Sequence, residues 1–282
     1  MRYYTGRVAV ITGAGSGIGR ALAVALADQE AVLALSDVDP GAVAATERLC
    51  GSAAAIRTDT VDVTDRRAVL DYASAVAAEF GRVDLVFAVA GVIFTGSVLS
   101  SDFADIEHVM NVDFWGVVHT AKAFLPHVIA SGGGHVVTVS SAFGLIAAPL
   151  YSAYNSAKFA VRGFTESLRQ EMLLAGHPVS VTCVYPGGVR TPIMRNSRCA
   201  EDEDLSVIAA RFDSLVARTE PAEAASIVLR GVRSGRADVL VGVDARIVSL
   251  VVRAAGRGYQ RVLPALHRLL VARRGANQKV RP

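Results

Sequence analysis

The chain has 282 residues, 52% hydrophobic and 20% charged, which suits one large domain with a sizeable core and excludes disorder over most of its length. The start, MRYYTGRVAVITGAG, has no apolar stretch behind a basic segment and no small-residue cleavage site, so no secretory signal is read and a cytoplasmic chain is expected. Net charge is +3, but residues 245 to 282 hold nine Lys/Arg and no acid, leaving 20 basic and 26 acidic residues before them. The three cysteines, Cys50, Cys183 and Cys199, are odd in number and lack ligand spacing, which predicts reduced thiols and no metal.

Short β-branched runs recur in chain order at Arg7 to Thr12, Ala31 to Ser36, Ala54 to Thr60, Val83 to Ala90, His135 to Ser140, Val179 to Tyr185 and Val239 to Val243. Several are apolar at nearly every position, as a strand covered on both faces requires. Helical stretches lie between them at Ile18 to Ala27, Arg66 to Phe80, Phe103 to Ala130 and Ala153 to Ala175. The alternation predicts an α/β fold, a Rossmann-type doubly wound parallel sheet of about seven strands, with ligands at the carboxyl ends of the strands. Ala123 to Ala157 carries no Asp, Glu, Lys or Arg, but Pro126, Gly132-Gly133-Gly134 and Pro149 break it, so it reads as core and pocket rather than a membrane span.

Between the first strand and first helix stands Thr12-Gly13-Ala14-Gly15-Ser16-Gly17-Ile18-Gly19. Glycines there allow a tight turn and let backbone N–H groups approach a pyrophosphate at the positive end of the helix. Asp37, ending the second strand, is placed to take the ribose hydroxyls; it repels a 2′-phosphate, and neither Ser16 nor Val38 offers a compensating cation, so NAD is preferred over NADP. The competing reading of Asp37 as a helix cap suits Asp39 better, just ahead of Pro40.

Tyr154 and Lys158 lie one helical turn apart, so an ammonium flanks a phenol and favours its phenolate. Ser141 ends the fifth main strand, at the ligand edge of the sheet.

With these residues the chain resembles the short-chain dehydrogenase/reductase family, in its compact single-domain branch, over about residues 5 to 245. The glycine motif is matched by Thr12, Gly13, Gly17 and Gly19, the adenine-side pair by Asp62-Val63, the catalytic Asn by Asn111, and the Ser, Tyr and Lys by Ser141, Tyr154 and Lys158. Pro186-Gly187-Gly188-Val189-Arg190-Thr191 is similar to the loop bordering the nicotinamide, with Val189 and Thr191 at the carboxamide. The family's Asn-Asn-Ala-Gly is here Ala88-Val89-Ala90-Gly91, which leaves local rigidity there in question.

The resemblance implies an NAD-dependent alcohol dehydrogenase or carbonyl reductase moving a hydride between nicotinamide and a carbinol carbon. Tyr154 would be the base, Ser141 would bond the substrate oxygen, Lys158 would lower the Tyr pKa and hold the ribose, and Asn111 would complete a proton path. It also implies a homodimer or homotetramer built on the long helices. His108 and His119 match no family position and read as helix-packing side chains.

The candidate pocket residues Phe143, Leu145, Ile146, Leu150, Tyr151, Ile193 and Met194, with the stretch to Leu215, are mostly apolar, so a largely hydrophobic secondary alcohol or ketone is expected. An NADP-linked ketoacyl-type reductase and a non-catalytic dinucleotide sensor are the alternatives; Asp37 opposes the first, and the intact Asn111, Ser141, Tyr154 and Lys158 oppose the second. Residues 1–244 are thus the catalytic domain and 245–282 a basic amphipathic extension.

In the extension Ile247, Val248, Leu250, Val251 and Val252 precede Gly256-Arg257-Gly258. Tyr259, Val262, Leu263, Leu266, Leu269 and Leu270 then recur at helical spacing among Arg257, Arg261, Arg268, Arg273 and Arg274. Two short helices packing on the body, closing over the pocket or joining subunits are favoured over a basic helix lying on anionic lipid, and no nucleic-acid motif appears.

Overall fold

The computed structural model describes residues 3–262 and 264. Seven parallel strands, β1 (Val8–Thr12), β2 (Val32–Asp37), β3 (Ala55–Thr60), β4 (Leu85–Ala88), β5 (Gly134–Val139), β6 (Val179–Pro186) and β7 (Asp238–Val241), pair in the order β3-β2-β1-β4-β5-β6-β7. The order reverses between β1 and β4, where Thr12 lies beside Ala88. That is the crevice in which an open α/β sheet presents a ligand.

The helices are α1 (Gly17–Ala27), α2 (Pro40–Leu49), α3 (Arg66–Phe80), α4 (Phe103–Met110), α5 (Gly116–Ala130), α6 (Ser152–Leu174), α7 (Leu205–Arg211), α8 (Pro221–Arg233) and α9 (Val243–Ala255). Their ends follow local chemistry. The Asp39 carboxylate accepts from the Gly41 and Ala42 N–H groups at the start of α2, and Asp65 does the same for α3, which ends at Gly81 with φ +72°. One sheet face packs on α1 and α8 through Leu22, Leu26, Val228 and Leu229; the other packs on α3, α5 and α6 through Val69, Val76, Phe124 and Leu168. Burial on both faces explains why the strands are nearly continuous apolar runs.

Three departures from the sequence pattern matter for the site. The run Val83 to Ala90 contributes only Leu85–Ala88 to the sheet, because the Val89 N–H leaves the ladder for the Thr12 hydroxyl at 3.2 Å. Val243 does not extend the last strand: Gly242, at φ +92°, turns the chain, and Val243 opens α9. Phe103 to Ala130 is not one α-helix but α4 and α5 joined by a π-helical turn, Asn111–Trp115, in which the Asn111 carbonyl accepts from the Gly116 N–H. Such turns add a residue to the helix and re-aim its side chains.

Of the extension, α9 and a 3-10 turn at Gly256–Gly258 are described. Leu263, Leu266, Leu269, Leu270, Arg268, Arg273 and Arg274 lie outside the described residues.

Candidate active site

The glycine turn is built by close approach. A Cβ on Gly13 would sit 2.7 Å from the Ala90 Cα and one on Gly17 2.9 Å from the Thr191 methyl; one on Gly19 would run into the Gly13 carbonyl. Gly13 and Gly17 also hold φ at +67° and +52°, which an L side chain resists. Thr12, Gly13, Ser16, Gly17, Ile18 and Gly19 thus meet Ala90 and Gly91 on one side and Thr191 on the other. Pro186, Gly187 and Val189 are held beside them by the Gly187 N–H to Val241 carbonyl bond (2.9 Å) and by the Asp244 carboxylate, which accepts from the Gly188 N–H at 2.6 Å.

Asp37 closes the turn from β2: its Oδ2 accepts from the Gly15 N–H at 2.8 Å and its Oδ1 from the Asp39 N–H at 3.1 Å. Each oxygen retains a lone pair for a further donor, and the capping of α2 falls to Asp39. Neighbouring Val38 is exposed and adds no charge. Beyond β3, next to β2, Asp62 is occupied by Thr64, whereas the Val63 carbonyl faces His119 Nδ1 at 3.0 Å. His119 therefore anchors the Asp62-Val63 loop to α5.

Ser141, Tyr154 and Lys158 come together at the carboxyl end of β5. Ser140 and Ser141 divide the work. Ser140 is buried and donates to the Lys158 carbonyl at 2.7 Å, pinning α6; Ser141, half-buried, caps the next turn by accepting from the Phe143 N–H at 3.1 Å and stands near enough to the Tyr154 phenol to favour its ionised form. Lys158 Nζ lies 5.5 Å from the centre of the Tyr154 ring and donates to the Val139 carbonyl at 3.2 Å. Burial pushes the Tyr154 phenol above its ordinary value; Lys158 and Ser141 pull it back, and Asp113 adds to the rise. In the protein alone the phenol keeps its proton.

The side chain that sequence reasoning missed is Asp113. It is 0% exposed, its Oδ2 lies 3.1 Å from Lys158 Nζ, and its Oδ1 accepts from the Val92 N–H at 2.7 Å. Burial pushes this carboxyl up while Lys158 pulls it down. Burial disfavours the Lys158 ammonium too, yet Asp113 and Tyr154 together hold it above its ordinary value. Both carboxyl oxygens face N–H donors, an arrangement that satisfies a carboxylate and leaves a carboxylic acid proton without a target, so the shared proton belongs to Lys158.

Asn111 is exposed, and its carbonyl accepts from the Gly116 N–H across the π turn. The inward stripe of α4, the π turn and α5 runs through Val109, Asp113, Val117, Ala121, Phe124 and Val128. A residue two places from Val109 and from Asp113 is turned about 200° round an α-helix and falls on the opposite face. The stripe was legible as a hydrophobic period with one acidic residue standing in it. Asp113 also bears on Ala88-Val89-Ala90-Gly91. Thr12 holds Val89 and Asp113 holds Val92, so the segment is tied from both sides without either Asn.

Over the site, Phe143, Tyr151, Ile193 and buried Met194 cluster with Tyr154; the Phe143 ring lies 5.3 Å from Tyr151 and 6.2 Å from Tyr154. Leu150 holds φ at +69°, an unfavourable value for a leucine, and its carbonyl accepts from the Gly96 N–H at 2.8 Å. The Asn155 side chain donates to the Ala148 carbonyl at 2.8 Å, so the wall is fixed by α6 itself. Ile146 is buried, Leu145 is half-buried, and Leu215 is 55% exposed to solvent rather than turned into the cluster.

A parallel sheet with a glycine turn at its switch point and a Ser-Tyr-Lys cluster beside it defines a nucleotide-type α/β oxidoreductase site. Residues 7–202 match the short chain dehydrogenase family. The chain is 54% identical over 266 residues to SadH of Mycobacterium tuberculosis, whose name calls it an oxidoreductase, covering 94% of this chain and 96% of that one. It is 36% identical over 194 residues to human estradiol 17-beta-dehydrogenase 11, covering 68% of this chain and 65% of that one. A short chain dehydrogenase/reductase from Burkholderia phymatum, solved in complex with NAD, superposes with a TM-score of 0.82 at 29% identity, over 90% of this chain and 95% of that one. The chain therefore belongs to the short-chain dehydrogenase/reductase family and is an oxidoreductase.

Proposed function

We propose that the protein is an NAD-dependent alcohol dehydrogenase or carbonyl reductase acting on a largely hydrophobic secondary alcohol or ketone. The carrying observation is the buried Tyr154–Lys158–Asp113 arrangement, open to Ser141 and walled by Phe143, Leu150, Tyr151 and Met194. A phenol flanked by an ammonium can take a proton from an alcohol or return one to a ketone oxygen. The names of two relatives agree with that class, one a steroid dehydrogenase and one a levodione reductase.

The residues present fit NAD. The Gly13 to Gly19 turn leaves backbone where a side chain would block a pyrophosphate, and Asp37 keeps accepting capacity for a ribose diol, with no cation at Val38 for a 2′-phosphate. Thr12, Ser16, Ile18, Asp62, Val63, Ala90, Gly91, Val189, Thr191 and Lys158 would complete the binding surface. Bound there, NAD supplies the redox partner of the carbinol carbon. Ser141 then orients the substrate oxygen towards the Tyr154 hydroxyl, which holds or accepts the proton. Lys158 keeps a positive charge beside that hydroxyl, and Asp113 keeps Lys158 charged and in place.

The test is NADH absorbance over a panel of hydrophobic secondary alcohols and ketones, with NADP(H) in parallel. Turnover with NAD that disappears in Tyr154→Phe supports the reading. A preference for NADP refutes the role of Asp37.

A further inference from the structure

α9 is apolar on two opposite faces. Its inner face seats Ala245, Val248 and Val252 against the body. Its outer face carries Val243, Ile247, Leu250 and Val251, spaced at i, i+4, i+7 and i+8, with Ile247 56% and Leu250 69% exposed. An exposed apolar stripe of this kind is normally covered by a partner. At its base α9 is tied to the nicotinamide-side loop, since the Asp244 carboxylate in its first turn accepts from the Gly188 N–H. Beyond α9, the Tyr259 hydroxyl accepts from the Ala147 N–H at 3.2 Å, in the loop between Ser141 and Tyr154. α9 and the segment after it therefore lie beside the loop that joins Ser141 to Tyr154.

Charge decides what fits it. Arg246, Arg253 and Arg261 are exposed and make no ion pair among the described residues, and no acid occurs in residues 245 to 282 against nine Lys/Arg. Asp244, the acid at the start of α9, turns inward to Gly188. A second copy docking here about a two-fold axis would set two such basic segments face to face, and a nucleic acid would leave the apolar stripe in water. An anionic bilayer surface satisfies both features, with phosphates for the arginines and acyl chains for the stripe. No helix among the described residues is long and apolar enough to cross a membrane, so the contact would be peripheral.

We propose that the outer face of α9 docks the enzyme on anionic phospholipid, which would bring the loop between Ser141 and Tyr154 close to the lipid surface. If the proposed function holds, an apolar alcohol or ketone would then enter from the bilayer rather than from water. Binding itself does not require turnover, so its failure would leave the proposed reaction standing.

The experiment is co-sedimentation of the full chain with vesicles of phosphatidylglycerol and phosphatidylcholine mixed, and of phosphatidylcholine alone, beside the double variant Ile247→Glu, Leu250→Glu. Both positions are solvent-exposed, and an unchanged melting temperature shows that the variant is folded. The expected result is pelleting with the anionic vesicles only, weakened by salt, and at least a tenfold lower partition for the variant. The proposal is overturned if the full chain stays in the supernatant with anionic vesicles at low salt, or if the variant pellets as well as the parent. It is equally overturned if the substitutions convert a dimer to a monomer on gel filtration, since a second copy would then cover the face. If the double variant does not fold, Arg246→Glu with Arg253→Glu replaces it, with the same expected loss.

Discussion

α6 and α9 are both amphipathic helices carrying basic side chains, and they use them in opposite ways. On α6, Lys158 is 3% exposed and its charge is met by Asp113 at 3.1 Å and by the Val139 carbonyl. On α9, Arg246 and Arg253 are exposed and make no ion pair among the described residues, beside apolar side chains that are also exposed. A buried cation must carry its partner with it, since desolvating an unpaired charge costs several kcal/mol. An exposed one can wait for a partner from outside. Lys158 is thus held by partners the fold brings with it, whereas Arg246 and Arg253 are left facing solvent.

The sharpest way to break the α6 half of that comparison is Tyr154→Phe, which removes one hydroxyl from the cluster. We expect kcat to fall by about 10³ or more while NADH binding, followed by fluorescence, survives. Turnover within tenfold of the parent would remove Tyr154 from the proton path.

Next in size is the ion pair. Asp113→Leu leaves Lys158 charged and unpartnered and is expected to destabilise the protein by about 3–5 kcal/mol, read by denaturant unfolding, whereas Asp113→Asn keeps the shape and the Val92 contact and costs less. The asparagine also shifts the pH response. The Tyr154 phenol lies above its ordinary value, with Asp113 one of the causes that raise it. Alcohol oxidation therefore rises with pH as the phenol gives up its proton, and ketone reduction falls with pH over the same range. Removing the carboxylate should move both limbs to lower pH. Profiles that coincide with the parent would reduce Asp113 to packing.

Cofactor choice is a smaller effect. Asp37→Ala removes an acceptor and a repulsive charge, so kcat/KM for NAD should fall about tenfold and the NAD to NADP ratio narrow, without inverting until a cation is added at Val38. A ratio unchanged within twofold would relegate Asp37 to holding Gly15.

The smallest effect concerns Leu150. At φ +69° a β-branched side chain is worse than leucine and glycine is unstrained, so Leu150→Ile should cost about 1 kcal/mol despite equal volume, and Leu150→Gly no more than that. Thermal melts of the two variants order them; a more stable isoleucine variant would show that the wall relaxes out of this conformation.

The order of elements and the cofactor edge were legible because they are written in local signals: apolar runs for strands covered on both faces, capping aspartates ahead of α2 and α3, and glycines where no Cβ fits. Ser141, Tyr154 and Lys158 could be placed together since two lie one helical turn apart and the third ends a strand. Tertiary structure alone decided the remainder. Asn111 and Asp113 are two residues apart in a helix, and which of them faces the site depends on the π turn and on what α6 presents across from it. The outer stripe of α9 has the same periodicity as a packed one, and whether it is covered depends on elements distant in the chain. Local sequence specifies a helix and its apolar stripes; only the completed fold determines which stripe meets the core, which meets Lys158, and which is left at the surface.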